Sequence, residues 1–150
     1  MKKKEIRTAL DALKTIRMPK IEDKALRNGI ITDHLQLLRE QRKYENDLRD
    51  LETAHLGAFE DERADVEDLQ RKVQLEGDMK ARQDLLREIA KHDRYFAALR
   101  DYNKAAGKVA DEEVSITGID QDRFVAEIQK QDFDLGILEA LYPMFINKKQ

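Results

Sequence analysis

The chain has 150 residues, no cysteine, two prolines and six glycines, and its 28 basic and 31 acidic side chains leave a formal net charge of −3. The absence of cysteine excludes disulfides, thiolate zinc sites and cysteine catalysis, and the near-balance of charge lacks the basic excess typical of nucleic-acid-binding proteins. Ala, Glu, Lys, Leu and Arg make up 74 of the 150 residues, a share typical of long helices and coiled coils.

An amphipathic helix is predicted over residues 3–17, because Ile6, Leu10 and Leu13 recur at steps of three and four residues. No apolar run approaches the ~18 residues that a bilayer-spanning helix needs, and the N-terminal stretch lacks the solid apolar segment of a signal peptide. We therefore expect a soluble, cytoplasmic protein that makes no membrane contact.

The pair Met18-Pro19 interrupts this pattern, because proline fits the first position of a helix but not its interior. A second helix is therefore predicted to start near Pro19. Asn28-Gly29 follows, and both residues accept left-handed backbone conformations. The sequence leaves open whether this pair ends the second helix or lies inside a longer one.

A long helix is predicted over residues 30–76, where apolar residues keep a helical spacing and Gly57 is the one interruption. Gly77-Asp78 then marks a turn, and a second helical pattern covers residues 79–106. Two long helices joined by so short a turn predict an antiparallel hairpin, which forms a coiled-coil-like stalk.

The register of this hairpin follows from its turn at residues 77–78, because facing residues then have numbers that sum to about 155. Glu62 falls opposite His92 or Asp93, so we expect an ion pair that interrupts the apolar seam. Elsewhere apolar residues face apolar residues, in the pairs Leu69 and Leu86, Val66 and Ile89, Phe59 and Phe96, and Leu56 and Leu99.

Shorter elements are predicted after the hairpin. Residues 114–116 alternate between apolar and polar side chains as a very short strand or an extended segment does. Asp120 is predicted to cap a short helix, and Asp132 or Asp134 to cap a last helix that ends before Pro143.

Together these elements predict an all-α fold in a single domain of residues 1–150. The stalk spans about residues 51–107, and a small helical head is formed by residues from about 1–50 and 108–150. The arm before the turn is longer than the arm after it, so Ile31, Leu35 and Leu38 lack partners in the hairpin, and Leu37 is a fourth candidate. We expect the first helix and the C-terminal helices to cover these side chains, because apolar faces avoid water.

The most apolar part of the chain is its C-terminal region, where 12 of the 23 residues from Phe124 to Ile146 are Phe, Val, Ile, Leu, Tyr or Met. Such a segment either folds back into the core or docks on a partner, and the sequence leaves both interpretations open. The candidate partner-binding residues lie near the end of the last helix and around the proline: Leu138, Leu141, Tyr142, Met144, Phe145 and Ile146.

No pattern in the sequence indicates a catalytic site. Glu52 and His55 have the Glu-x-x-His spacing of di-iron bundles, yet those sites need a second such pair and two further glutamates. The other residues that a metal site in the stalk would use are Glu62, Glu88 and His92. Phosphate loops and the His-Glu-x-x-His zinc motif do not occur in the sequence. We therefore expect no metal, no cofactor and no enzymatic activity.

Presentation of helical surfaces is the function that these features favour. We expect a non-enzymatic interaction, assembly or scaffolding protein that binds a protein partner or associates with itself as a homo-oligomer. One alternative is a nucleic-acid-associated protein that uses its basic termini, residues Lys2 to Lys4 with Arg7 and Lys148-Lys149, together with Arg39, Arg42 and Lys43 on the same face. A metal-binding helical bundle is the less favoured alternative.

Overall fold

The computed structural model describes residues 1–146, and within them seven α-helices and one small two-stranded sheet form the fold. The all-α class predicted from the sequence is confirmed. The helices are α1 (Ile6–Leu13), α2 (Lys24–Leu56), α3 (Glu60–Leu75), α4 (Met79–Ala90), α5 (Asp93–Ala110), α6 (Gln121–Ile128) and α7 (Gly136–Leu141). The strands are β1 (Ile119–Asp120) and β2 (Phe145–Ile146), and 3₁₀ turns lie at Lys3–Glu5, Met18–Lys20, Gly57–Phe59 and Tyr142–Met144.

The chain divides into two compact units. Unit 1 comprises Met1–Asn46 together with the described residues from Val109 onward, and unit 2 comprises Asp47–Lys108. The long helix α2 therefore contributes its first part to unit 1 and its last part to unit 2.

The start of α2 corrects the predicted start near Pro19. Pro19 lies in a 3₁₀ turn, and the chain is extended at the buried residue Ile21 before α2 begins at Lys24. The Asp23 carboxylate accepts a hydrogen bond from the backbone N–H of Leu26 at 3.0 Å, the bond that an N-cap residue makes. Burial of Ile21 in the core requires this extended residue, so the helix starts later.

The sequence leaves open whether Asn28-Gly29 ends a helix or lies inside a longer one. In the structure, α2 continues through this pair without a break. The predicted long helix over residues 30–76 is confirmed, since helical structure continues from α2 into α3 and ends at Leu75, with the 3₁₀ turn at Gly57–Phe59 as its interruption. Gly57 is the first residue of this turn, and glycine has the lowest helix propensity of any residue except proline.

Unit 2 contains the predicted hairpin, in which α3 packs against α4. The Asp78 carboxylate accepts a hydrogen bond from the backbone N–H of Ala81 at 3.2 Å and so caps α4 directly after the turn. The second arm is broken at Lys91-His92, between α4 and α5, where one continuous helix is predicted.

The core of unit 2 contains three of the four predicted apolar pairs. Leu86 of the fourth pair is half-exposed and lies outside this core, whereas Tyr95 is buried in it although no pair was predicted there. The core consists of buried and partly buried apolar residues from both arms: Leu56, Phe59, Val66, Ile89, Tyr95, Phe96, Ala98, Leu99 and Tyr102.

The core of unit 1 lies among α1, the first part of α2, α6, α7 and both strands. α1 packs against α7 and is shorter than the helix predicted over residues 3–17. The rings of Phe124 on α6 and Phe145 on β2 lie 5.3 Å apart, centre to centre. The largest fully buried apolar side chains are Ile6, Leu10, Leu37, Phe124, Leu141 and Met144.

Residues 114–116, predicted as a very short strand or an extended segment, form no strand, and the N–H of Val114 donates a hydrogen bond to the Met1 carbonyl oxygen at 2.8 Å. The strands of the sheet lie later in the chain. β1 pairs with β2 in parallel, with Ile119 opposite Phe145 and Asp120 opposite Ile146. Asp120 also caps α6, as predicted, because its carboxylate accepts a hydrogen bond from the backbone N–H of Arg123 at 3.0 Å. A parallel pair needs a partner far along the chain, here the C-terminal segment, so the position of the strand depends on tertiary packing.

Candidate interaction surface

The six C-terminal candidate residues fall into two groups. Leu141, Met144 and Phe145 are buried in the core of unit 1, and Leu138 is partly buried against it. Tyr142 and Ile146 are exposed. Of the two interpretations that the sequence leaves open, folding into the core describes the first group, whereas Tyr142 and Ile146 keep about half of their surface exposed.

Pairing of β2 with β1 holds the C-terminal segment in place. Gly118, next to β1, has a φ of +89°, a left-handed conformation that favours glycine. A Cβ atom at this position would lie 2.6 Å from Cγ2 of Ile146 and 3.1 Å from the carbonyl oxygen of Met144. The close approach of the two backbones therefore requires glycine at residue 118.

A buried carboxylate supports the same junction. Asp33 on α2 is fully buried, and its Oδ1 accepts a hydrogen bond from the backbone N–H of Gly118 at 3.2 Å. Burial raises the pKa of Asp33 above its ordinary value, and the bond from Gly118 opposes this rise only in part. The Asp33 contact thus fastens the segment before β1 to α2.

Glu127 makes the second buried carboxylate contact of unit 1. Its two side-chain oxygens accept hydrogen bonds from the backbone N–H groups of Glu22 and Asp23, each at 3.1 Å. These groups lie just before α2, where backbone N–H groups have no partner within the helix. Glu127 therefore joins α6 to the start of α2, and its role is structural.

The exposed side of α2 carries three large aliphatic side chains. Ile31, Leu35 and Leu38, four and three residues apart, are 48%, 56% and 43% exposed. We call these three residues the α2 face. The prediction that terminal helices cover them is wrong, because the helices of unit 1 pack instead on the neighbouring side of α2, which carries Leu26, Ile30, Asp33 and Leu37.

An apolar groove of about 340 Å³ adjoins the α2 face. Its walls come from the end of α1, the turn that follows it, and α2. Lys14 and His34 are the only ionisable residues among those that line it. The lining residues are Leu13, Lys14, Ile16, Met18, Ile30, Ile31, His34 and Leu35.

Basic side chains flank the α2 face, although the whole chain has a net charge of −3. Lys24 lies two helical turns before Ile31, and Arg42 lies one turn after Leu38, on the same side of α2. Both side chains are exposed, as is Arg39. The side of α2 that offers apolar contact to a partner is therefore locally positive.

Four of the five residues that invite a metal interpretation, Glu52, Glu62, Glu88 and His92, contact other side chains of unit 2. His92 Nδ1 lies 3.3 Å from Glu62 Oε2, so the two residues that the hairpin register places opposite each other are in contact. Glu52 Oε1 accepts a hydrogen bond from Arg63 at 2.6 Å. Across residues 1–146, no group of three or more His, Asp or Glu side chains is placed to hold a metal ion.

The basic N-terminus contacts acidic residues of its own unit. Lys4 Nζ lies 2.8 Å from Asp111 Oδ1, and this bond raises the pKa of Lys4 and lowers that of Asp111. Lys3 pairs with Glu112 at 3.3 Å. These contacts neutralise part of the N-terminal charge that a nucleic-acid interface would use, whereas Arg39, Arg42 and Lys43 are exposed. Lys148 and Lys149 lie outside the described residues.

Comparison with protein-family models, with curated proteins and with solved structures finds no match for this chain. Among the helices of residues 1–146, none combines the length and the apolar composition needed to cross a bilayer. Function is therefore inferred from the surfaces of the two units.

Of the two buried carboxylates, the sequence indicates the burial of Asp33 but not the role of Glu127. The spacing of Leu26, Ile30, Asp33 and Leu37 places Asp33 on an apolar side of α2, which was a signal for its burial. Nothing local signals the role of Glu127, because its two backbone partners lie more than 100 residues earlier in the chain.

Proposed function

We propose that this chain is a non-enzymatic assembly protein that associates with other copies of itself through helical surfaces of unit 1. The observation that supports this most is the exposed α2 face. Burial of apolar surface stabilises a contact by about 25 cal/mol per Å². Three neighbouring aliphatic side chains beside an apolar groove therefore favour association over exposure to water.

The chemistry of the surfaces supports a binding role over a catalytic one. The groove beside the α2 face is lined by six apolar residues and two ionisable ones, Lys14 and His34. The two buried carboxylates of unit 1, Asp33 and Glu127, hold backbone N–H groups and join elements of the fold. A cytoplasmic location is part of the same proposal, since a cysteine-free chain suits a reducing compartment.

Light scattering coupled to size exclusion tests this proposal on the full chain. Leu35→Asp places a charge in the centre of the α2 face, and Leu86→Asp is the matched control, because Leu86 is also half-exposed but lies on α4 in unit 2. We expect the wild type and Leu86→Asp to exceed the 17.5 kDa monomer mass as concentration rises, and Leu35→Asp to remain monomeric with unchanged helix content. A monomeric wild type at every concentration would overturn the proposal.

A further inference from the structure

The partner of the α2 face is a specific surface of a second copy. Resting on the assembly function proposed above, we infer that the C-terminal side of unit 1 in one copy docks on the α2 face and groove of the next. This C-terminal side consists of Leu135, Glu139 and Tyr142, and we call it the C-terminal face.

The C-terminal face is an exposed apolar surface in its own right. Leu135 is 71% exposed and Tyr142 is 54% exposed, and Glu139 between them is exposed as well. These residues follow each other at steps of four and three, so they share one side of α7 and the turn after it. Leu135 is a suitable side chain to enter the apolar groove beside Leu35.

The charges of the two faces are opposite. Residues 131–146 contain three acidic side chains, Asp132, Asp134 and Glu139, and no lysine or arginine. The α2 face is flanked by Lys24 and Arg42, and Lys14 lines the groove. Opposite charges around an apolar contact steer two surfaces together and suppress incorrect pairings.

The same charges disfavour the simplest alternative, in which two α2 faces meet around a two-fold axis. That arrangement would bring two surfaces flanked by lysine and arginine together, and like charges across an interface are unfavourable. It would also leave the C-terminal face exposed in both copies. Contact between unlike faces covers both apolar surfaces and matches their charges.

Contact between unlike faces has a consequence for the assembly. Each copy offers one α2 face and one C-terminal face, and both are exposed within a single copy. A contact between different patches is heterologous, so copies add head to tail and form either a closed ring or an open chain. Removal of one face from a copy therefore stops growth at that copy.

A mixing experiment tests this arrangement. Leu35→Asp removes the α2 face and Leu135→Asp removes the C-terminal face, and both positions are exposed, so each variant is expected to fold with wild-type helix content. Each variant alone is expected to be monomeric. An equimolar mixture is expected to give a 1:1 dimer, because the intact C-terminal face of the first variant meets the intact α2 face of the second.

The possible results separate this inference from the assembly function on which it rests. A wild type that assembles while the mixture stays monomeric overturns the inference and leaves self-association standing. Assembly retained by Leu135→Asp alone overturns it as well. A wild type that is monomeric at every concentration overturns the assembly function itself. Mass from light scattering at several concentrations distinguishes these results.

Discussion

Glu127 illustrates how one buried side chain fixes the relation of two helices in unit 1. Its carboxylate is held by two backbone N–H groups before α2 and lies 3.4 Å from Lys130 Nζ. An ionised acceptor makes stronger hydrogen bonds than a neutral one. The start of α2 is therefore set by a residue of α6 as much as by its own Asp23 cap.

Replacement of Glu127 by glutamine tests this role. Glutamine has one acceptor oxygen in place of two and no charge, so one N–H group loses its partner. We expect Glu127→Gln to lower the free energy of unfolding by about 1–3 kcal/mol, measured by urea denaturation. The matched control is Glu60→Gln at an exposed position of unit 2, with an expected change of about 0.5 kcal/mol or less. Equal losses in the two variants would contradict the role.

Asp33 gives unit 1 a dependence of stability on pH. Because burial raises its pKa in the folded state, the folded protein binds this proton more tightly than the unfolded chain does. The free energy of unfolding contributed by Asp33 therefore falls as pH rises from the unfolded pKa, about 3.9, through the raised folded pKa. Above the folded pKa the contribution stays constant.

Comparison of the wild type with Asp33→Asn isolates this contribution, because all other titrating groups are shared. Asparagine keeps an oxygen that accepts the bond from Gly118 but does not titrate. We expect the stability of the wild type relative to Asp33→Asn to decrease as pH rises from about 4 to 7. Thermal unfolding at a series of pH values measures this difference. A difference that is constant over the range would show that burial of Asp33 does not affect its titration.

Two glycines give opposite predictions for the same substitution. Gly118→Ala forces an alanine into a left-handed conformation with its Cβ 2.6 Å from Ile146, so we expect a loss of more than about 1 kcal/mol in the free energy of unfolding. Gly29→Ala lies inside α2 with no atom within 4 Å of its Cβ, so we expect a gain of about 0.5–1 kcal/mol. Thermal unfolding of both variants provides the check, and loss of stability in both would contradict it.

At the scale of elements, β2 shows why the C-terminal segment belongs to the core. Phe145 is buried, contacts Phe124 and pairs with Ile119 across the sheet. We expect Phe145→Ala to cost about 3–5 kcal/mol in the free energy of unfolding, because it leaves a cavity. The control is Leu75→Ala at the end of α3, where the leucine is 87% exposed. Similar urea midpoints for the two variants would place Phe145 outside the core.

Most helical elements were predictable from the sequence because their signals are local, but the start of α2 and the break at Lys91-His92 were not. Apolar spacing and the pair Gly77-Asp78 indicate the hairpin of unit 2, and its register places Glu62 opposite His92. The two-residue strands were not predictable, because β1 and β2 are too short to show a period and pair across 26 residues of sequence. Their position depends on the fit of Gly118 against the C-terminal segment.

The sequence did not indicate which of two apolar sides of α2 would be exposed as the interaction surface. Ile31, Leu35 and Leu38 form one helical row, and Leu26, Ile30, Asp33 and Leu37 form the next. The first row is wholly apolar, whereas a carboxylate interrupts the second. Packing nevertheless buries the second row, and the backbone N–H of Gly118 bonds one of the two side-chain oxygens of Asp33. The exposed row was therefore expected in the core.

At the scale of the whole molecule, the charge distribution is more informative than the total charge. Although the net charge is only −3, basic side chains flank the α2 face and residues 131–146 are acidic. Both surfaces belong to unit 1. A chain that offers two unlike and complementary surfaces is suited to assemble with copies of itself.

Disulfide cross-linking between copies tests this assembly, and the chain is well suited to it because it contains no cysteine. A disulfide forms only when two Cα atoms come within about 7 Å, so it reports direct contact. The variant that carries both Leu35→Cys and Leu135→Cys is oxidised mildly and examined under non-reducing conditions. Leu86→Cys combined with Leu135→Cys is the control, because Leu86 lies on unit 2.

We expect a ladder of cross-linked species from the variant with cysteines at residues 35 and 135, and monomers from the control. We also expect monomers from Leu35→Cys alone. A dimer from Leu35→Cys alone would show that two α2 faces meet, and absence of cross-links in the double variant would show that the α2 face does not contact the C-terminal face of another copy.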